Sequence, residues 1–299
     1  MTTLLRGPAA RCLLLLLLLA VPGRAAAPTP FFFIQLSDPQ LGMFSNNADF
    51  VQDADNFEFA VANVNRLRPA FVIITGDLVN RVGDAAQIAA YRRIAGRIDP
   101  SIPVYHLAGN HDVGNVPTPE TLAAYAQLFG PDRYVFRHEG LVGIVLNSSV
   151  IHSPQQTPAQ LAEQERWLRA ELTKAKAGGA RHIVVFQHHP WFLQAAGEAD
   201  GYFNIPLARR AAYLALFREF GVRYLFCGHY HRNAEARDGN LQAITTGAVG
   251  KPLGGSRSGF RVAIVRDDRI DHRFYELGEL PERIELAPPP AKPARKAGK

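Results

Sequence analysis

The sequence predicts a layered α/β domain with mixed sheets, on three observations. As far as Cys227, short apolar runs of strand length alternate with longer stretches whose apolar residues recur at the helical period. Beyond Cys227 strand-like runs follow one another without a helix between them. Neither an internal repeat nor a long linker divides residues 28–287, which read as one domain.

Phe31-Phe32-Phe33-Ile34-Gln35-Leu36 is apolar and aromatic enough for a central strand, and it stops at Ser37-Asp38-Pro39-Gln40. Phe50, Ala54, Phe57, Val61 and Val64 then keep the spacing of a helix face. Residues 71–75 form a second buried strand, ending at Gly76-Asp77-Leu78-Val79-Asn80. A helix over 84–97 leads to a third strand at 104–107, bounded by prolines and glycine, which delivers Gly109-Asn110-His111-Asp112. Pro119 suits the first turn of a helix over 119–129. Residues 134–137 and 141–146 read as strands about a Glu139-Gly140 turn, and 158–177 as an amphipathic helix stopped by Gly178-Gly179. A strand at 182–186 ends at Gln187-His188-His189-Pro190. A polar loop through Glu198 and Asp200 precedes a helix over 206–220, and a strand at 222–227 ends at Gly228-His229-Tyr230-His231. Residues 241–246, 260–265 and 270–275 complete the strands.

The two ends are of another kind. Arg6 and Arg11 precede the leucine run Leu13 to Leu19, then Pro22, Gly23 and Ala25-Ala26-Ala27, the order of a secretory signal peptide over residues 1–27. Its apolar core falls short of the roughly 20 residues of a spanning helix, so the expected mature chain is exported, periplasmic or secreted, with no transmembrane segment. Residues 288–299, PPPAKPARKAGK, have nothing to bury and read as a disordered basic tail. The formal charge of +6 comes from these ends. Removing Arg6, Arg11, Arg24, Lys292, Arg295, Lys296 and Lys299 leaves −1, and no specific nucleic-acid binding is expected. Cys12 lies in the leader, so Cys227 has no intramolecular partner, and an ordinary core must stabilise the fold.

Five polar clusters therefore sit at successive strand ends, where open α/β sheets place their ligands. They offer Asp38, Gln40, Asp77, Asn110, His188, His229 and His231. Each taken alone has a plain structural use: Asp-Pro and Gly-Asp are common turns, and one histidine of His188-His189 could be a cap. Together, carboxylates, amide oxygens and imidazoles are donors suited to Mn, Fe, Zn or Ni ions. The one-residue spacing of Asp38 and Gln40, and of His229 and His231, puts each pair on one side of an extended segment.

In this order the motifs resemble the calcineurin-like metallophosphoesterase superfamily, whose pattern is Asp-x-His, Gly-Asp, Gly-Asn-His-Asp or -Glu, a later His, then Gly-His-x-His. Asp38-Pro39-Gln40, Gly76-Asp77-Leu78-Val79-Asn80, Tyr202-Phe203-Asn204 and Gly228-His229-Tyr230-His231-Arg232-Asn233 are most similar to a subfamily of calcineurin-like phosphoesterase domain-containing proteins with serine/threonine phosphatase names. The resemblance implies a four-layer α/β/β/α sandwich with a dinuclear site at its edge. One ion, Mn, Fe or Zn, would be held by Asp38, Gln40, Asp77 and His231. The other would be held by Asp77, Asn110, His188 and His229. Gln40 stands where the superfamily usually has histidine, so its ion is expected to be held more loosely or selected differently.

The implied reaction is hydrolysis of a phosphate monoester by metal-activated water, on a phosphorylated small molecule or a phosphoprotein. His111 would protonate the leaving oxygen, Asp112 would orient His111, and Asn110 and Arg232 would contact the phosphate. Phe44, Trp191, Phe192, Tyr202, Lys251 and Arg257 are further candidates for the cleft lining. Two rivals share the site: a phosphodiesterase or nuclease, and a non-catalytic metal-binding scaffold.

Overall fold

In the computed structural model, which describes residues 29–287, the apolar runs pair into two sheets. The expected leader and tail lie outside the described residues. The first sheet contains β1 (Phe31–Leu36), β2 (Val72–Ile74), β3 (Val104–His106), β10 (Gly259–Val265) and β11 (Ile270–Glu276) in the order β11-β10-β1-β2-β3. The second contains β4 (Tyr134–His138), β5 (Leu141–Val145), β6 (His182–Phe186), β7 (Tyr224–Cys227), β8 (Ala234–Asp238) and β9 (Leu241–Thr245) in the order β4-β5-β6-β7-β9-β8. Strands β1, β2 and β3 run parallel, as do β5, β6, β7 and β9, while the outer strands pair antiparallel.

Three apolar cores follow from the two-residue period of the strands. On β1, Ile34 and Leu36 face α1 (Val51–Leu67) and α2 (Ala85–Ala95), meeting Phe57, Val61, Tyr91 and Ile94. Phe33 faces the other way and packs with Phe71, Phe186 and Phe226 between the sheets. On the far side, Ile183, Val185 and Leu225 meet Leu168, Leu172, Leu214 and Phe217 of α6 (Pro158–Ala177) and α7 (Leu207–Phe220). Helix, sheet, sheet and helix are thus four layers, as the resemblance implied. Among the described residues no helix is long and apolar enough to cross a membrane.

Several helix ends match the sequence signals. Asp84 accepts from the N–H groups of Ala86 and Gln87 at the start of α2, and Pro119 opens α4 (Pro119–Phe129). Four elements were not anticipated, one of them a 3-10 turn at Leu277–Glu279. Asn110–Val113 is a helical turn, α3; Ser148–His152 is another, α5; and β8 is an edge strand in which only Ala236 is buried. Strand β8 lacks the apolar alternation of a half-buried strand because its outer side meets water.

Candidate metal centre

The carboxyl ends of β1, β2, β3, β6 and β7 converge, and Asp77 lies at the middle of what they deliver. Its Oδ2 is 3.2 Å from His188 Nε2, and its Oδ1 accepts from the His111 N–H at 2.9 Å. His188 Nε2 is also 3.0 Å from Asn110 Oδ1 and 3.1 Å from His229 Nδ1. Asp38 Oδ1 lies 3.5 Å from His231 Nε2. Asp77, His188 and His229 form one buried group, and Asp38, Asp77 and His231 a second, with ligand atoms within 4.8 Å of one another in each.

Backbone carbonyls decide which ring nitrogens face inward. Thr75 O takes the Nδ1–H of His188 at 2.9 Å, Tyr202 O the Nε2–H of His229 at 3.0 Å, and Lys251 O the Nδ1–H of His231 at 2.5 Å. The opposite nitrogens keep their lone pairs, and those of His188 and His229 point at each other beside two oxygens. Such an arrangement calls for a cation or a proton between them. Gln40 supports the same reading: its Nε2 donates to Asn80 Oδ1 at 3.0 Å, while its buried Oε1 has no hydrogen-bond partner. The donor set fits metal ions, with outer hydrogen bonds that orient each ligand.

The electrostatics are those of a compressed charge cluster. Burial disfavours the His188 cation, but the Asp77 and Asp38 carboxylates outweigh it and raise its pKa to about 9. Burial and the neighbouring His188 push His229 down to about 3. Burial raises Asp38 against the pull of His231 and His188. Burial and Asp77 push Asp112 up to about 8.

The turns are also strained. Asp38, Gln40, Asp77, His229 and His231 all have φ between 36° and 67°, the left-handed region that costs a residue with a Cβ about 1–2 kcal/mol. Strain concentrated on candidate ligands is expected where side chains must be aimed at one point. Two glycines allow the turns to close. A Cβ on Gly109 would lie 2.1 Å from Asp77 Oδ1, and one on Gly228 would lie 2.1 Å from Ser37 Oγ.

A family model for the calcineurin-like phosphoesterases matches residues 33–233, which carry all five turns. The chain belongs to the calcineurin-like phosphoesterase family. Within it, the chain is 39% identical over 269 residues to the Bos taurus protein named serine/threonine-protein phosphatase CPPED1, covering 85% of this chain and 86% of that one. The Homo sapiens protein of the same name is 35% identical over 270 residues, with the same coverage of both chains. The fold is similar to a dimetal phosphatase from Danio rerio, with a TM-score of 0.60 at 20% identity, covering 84% of this chain and 98% of that one. It is also similar to a purple acid phosphatase from Lupinus luteus, with a TM-score of 0.63 at 12% identity, covering 84% of this chain and 52% of that one.

Against this calcineurin-like frame, some expected placements need correction. Asp112 does not orient His111. Its carboxylate accepts from the N–H groups of Leu78, Val79 and Gly109, so it ties the β2 turn to α3. His111 is oriented by Asn80, whose carbonyl takes its Nδ1–H at 2.7 Å. Arg232 makes no hydrogen bond or ion pair to the cluster; its guanidinium lies over the Tyr230 ring, 5.0 Å from the centroid. Trp191 and Phe192 are fully buried in the core under α7, where apolar area is worth more than a place in the cleft. Arg257 is 76% exposed by its side chain, beside Glu276. Of the His188-His189 pair, the second turns away to Ser148 Oγ at 2.9 Å.

Two further residues hold the candidate donors in place, Asn80 without a role in the sequence reading and Tyr202 named there only as cleft lining. Asn80 holds both Gln40 and His111, and a lone amide after apolar Leu78-Val79 was the available signal. Tyr202, 55% exposed, holds His229 through its carbonyl and reaches Asn110 Nδ2 with its hydroxyl at 3.3 Å.

Proposed function

We propose that this chain is an exported phosphoesterase that hydrolyses phosphate monoesters, phosphoproteins among them, with two ions drawn from Mn, Fe or Zn. The observation that carries the reading is the convergence of His188 Nε2, His229 Nδ1, Asn110 Oδ1 and Asp77 Oδ2 on one point. Asp77, Asn110, His188 and His229 would hold one ion, and Asp38, Gln40, Asp77 and His231 the other. Bound there, the ions would supply Lewis acidity and a water acidic enough to act near neutral pH.

The chain's own groups do the rest. His111 is half-buried, with Nδ1–H fixed by the Asn80 carbonyl, so Nε2 is the nitrogen that, in the imidazolium form, would hand its proton to the leaving oxygen and keep the lone pair. Tyr202 and Asn110 border the same space, so they are the side chains best placed to contact the ester. No nucleophilic serine or cysteine is needed: Cys227 is fully buried and its thiol is pushed far above its usual range by burial. The names carried by the relatives support a phosphatase, and the leader-like residues 1–27 support export.

The test compares p-nitrophenyl phosphate with its bis ester, with and without added Mn²⁺, beside elemental analysis. Metal-dependent turnover is expected with the monoester faster, and His111→Ala is expected to lose about 10²–10⁴-fold while binding the same metal. Faster diester cleavage would move the chain to the phosphodiesterases, and no turnover in metal-replete protein would leave a scaffold. Retention of the intact chain inside the cell would reject export.

A further inference from the structure

The layer between the two sheets is aromatic at one end and polar at the other. On β1 the inward series runs Phe31, Phe33, Gln35; on β2 and the residues flanking it, Phe71, Ile73, Thr75; and from β9 onward, Ile244, Thr246. Arg261 of β10 is the register partner of Gln35 and points into the same layer, 1% exposed. A guanidinium placed between sheets is costly unless every donor is used.

Its donors are used in two directions. Nη1 and Nη2 reach Glu235 and Asn233 at the edge of the second sheet, both at 2.9 Å. Nε starts a chain towards the candidate centre. Arg261 Nε–H donates to Thr246 Oγ1 at 2.8 Å, and Thr246 donates to Gln35 Oε1 at 2.7 Å. Gln35 Nε2–H donates to Thr75 Oγ1 at 3.0 Å, Thr75 to Ser37 Oγ at 2.9 Å, and Ser37 to Asp38 Oδ2. Every link donates the same way, from a buried cation to a buried carboxylate. Bonds aligned like this polarise one another, each strengthening the next by about 10–30%.

The geometry points to Arg261 as a positioning residue that sets the Asp38 carboxylate for its cation, acting through Thr246, Gln35, Thr75 and Ser37. This rests on the metal reading above. The chain occupies Oδ2, the His229 N–H lies 3.0 Å from Oδ1 and 3.1 Å from Oδ2, and Oδ1 is turned to His231. A fixed carboxylate would lose less freedom when it takes up an ion. Glu235, whose side chain is 51% exposed, balances Arg261 from outside the layer without touching the chain.

Mn²⁺ binding to the full chain, followed by equilibrium dialysis beside thermal unfolding, tests this directly. Thr246→Val keeps the volume and removes the link; Thr246→Ser loses a methyl and keeps it. The expected result is that Val weakens one of two Mn²⁺ binding steps about tenfold, the range for an outer partner of a ligand, while Ser binds as the unchanged protein. Ser37→Ala, which cuts the last link with little loss of volume, should weaken the same step. If Val and Ser weaken binding equally, or if both Val and Ser37→Ala bind as the unchanged protein, the positioning role is overturned. If the unchanged protein itself takes up no Mn²⁺, the metal reading falls and this inference with it.

Discussion

The Asn110–His188–His229 half of the centre and the Asp38–Gln40–His231 half share Asp77 and differ in how tightly they are built. In the first, His188 Nε2 lies between 3.0 and 3.2 Å from an amide oxygen, an imidazole nitrogen and a carboxylate oxygen. In the second, the closest approach of Asp38 to His231 is 3.5 Å, and Gln40 contributes a neutral amide where the superfamily has an imidazole. The first half is held by β2, β3, β6 and β7 from both sheets, and its two rings are locked by carbonyls of Thr75 and Tyr202. The second hangs on two short turns in which Asp38, Gln40 and His231 have positive φ, as Asp77 and His229 of the first half also do. On the proposed two-ion reading, the rigid half with two imidazoles should bind its ion tightly, and the amide-bearing half should bind the weaker one.

The strongest way to break this comparison is to remove what the halves share. Asp77→Asn leaves the fold's shape but takes one negative charge from the buried carboxylate common to both groups. On the proposed two-ion reading, both ions should weaken together and turnover should fall by about 10³-fold or more, since the ions would supply several kcal/mol of transition-state stabilisation. Metal analysis of the variant checks this. If one ion stays at full occupancy, Asp77 belongs to one half only.

A pH titration of chelated protein probes the two histidines of the tight half. His188 is raised to about 9 and His229 lowered to about 3, against an ordinary value near 6.5. For His188, the folded state holds its proton more firmly, so its stabilisation is complete below about 6.5 and is lost as pH rises towards 9. For His229, the folded state resists protonation, so stability is lost as pH falls from about 6.5 towards 3. Asp112, raised to about 8 from near 4, also loses stability as pH rises over that range. The thermal stability of the metal-free chain should therefore fall on the alkaline side, with His188 supplying the loss between about 6.5 and 9. Adding Mn²⁺ should flatten the alkaline side, because an ion held by His188 would take the place of its proton. An alkaline slope that persists in metal-loaded His188→Asn would assign it elsewhere.

The places of the tight half's candidate donors were legible in the sequence because they follow strands. Buried strands announce themselves by apolar runs, and Gly76-Asp77, Gly109-Asn110 and Gly228-His229 mark where those runs must turn. What aims the ligands was not legible. Thr75, Tyr202 and Lys251 act through backbone carbonyls, which every residue has, so side-chain chemistry gives no hint of them. Asp112 misled for a related reason: adjacency to His111 suggested pairing, yet α3 is a helical turn, and neighbours in a helix do not face each other. Trp191 and Phe192 follow the same logic, since an aromatic beside a histidine motif looks the same whether it lines a cleft or fills a core.

The smallest expected effect separates side chain from backbone within the looser half. Asn80 serves Gln40 through its side-chain oxygen and His111 through its carbonyl. Asn80→Ala removes the first link and keeps the second. Asn47 Oδ1, which accepts from Asn80 Nδ2, retains the Gln87 amide at 2.9 Å, so the damage stays local. Gln40 is then free to rotate, and the weaker Mn²⁺ step should loosen by about tenfold while the tighter step is unmoved. At saturating Mn²⁺ the kcat should be close to that of the unchanged protein, because the His111 anchor is intact. A fall in kcat that excess metal does not restore would mean that the Asn80 side chain serves His111 rather than Gln40, and the asymmetry between the halves would have to rest on His231 instead.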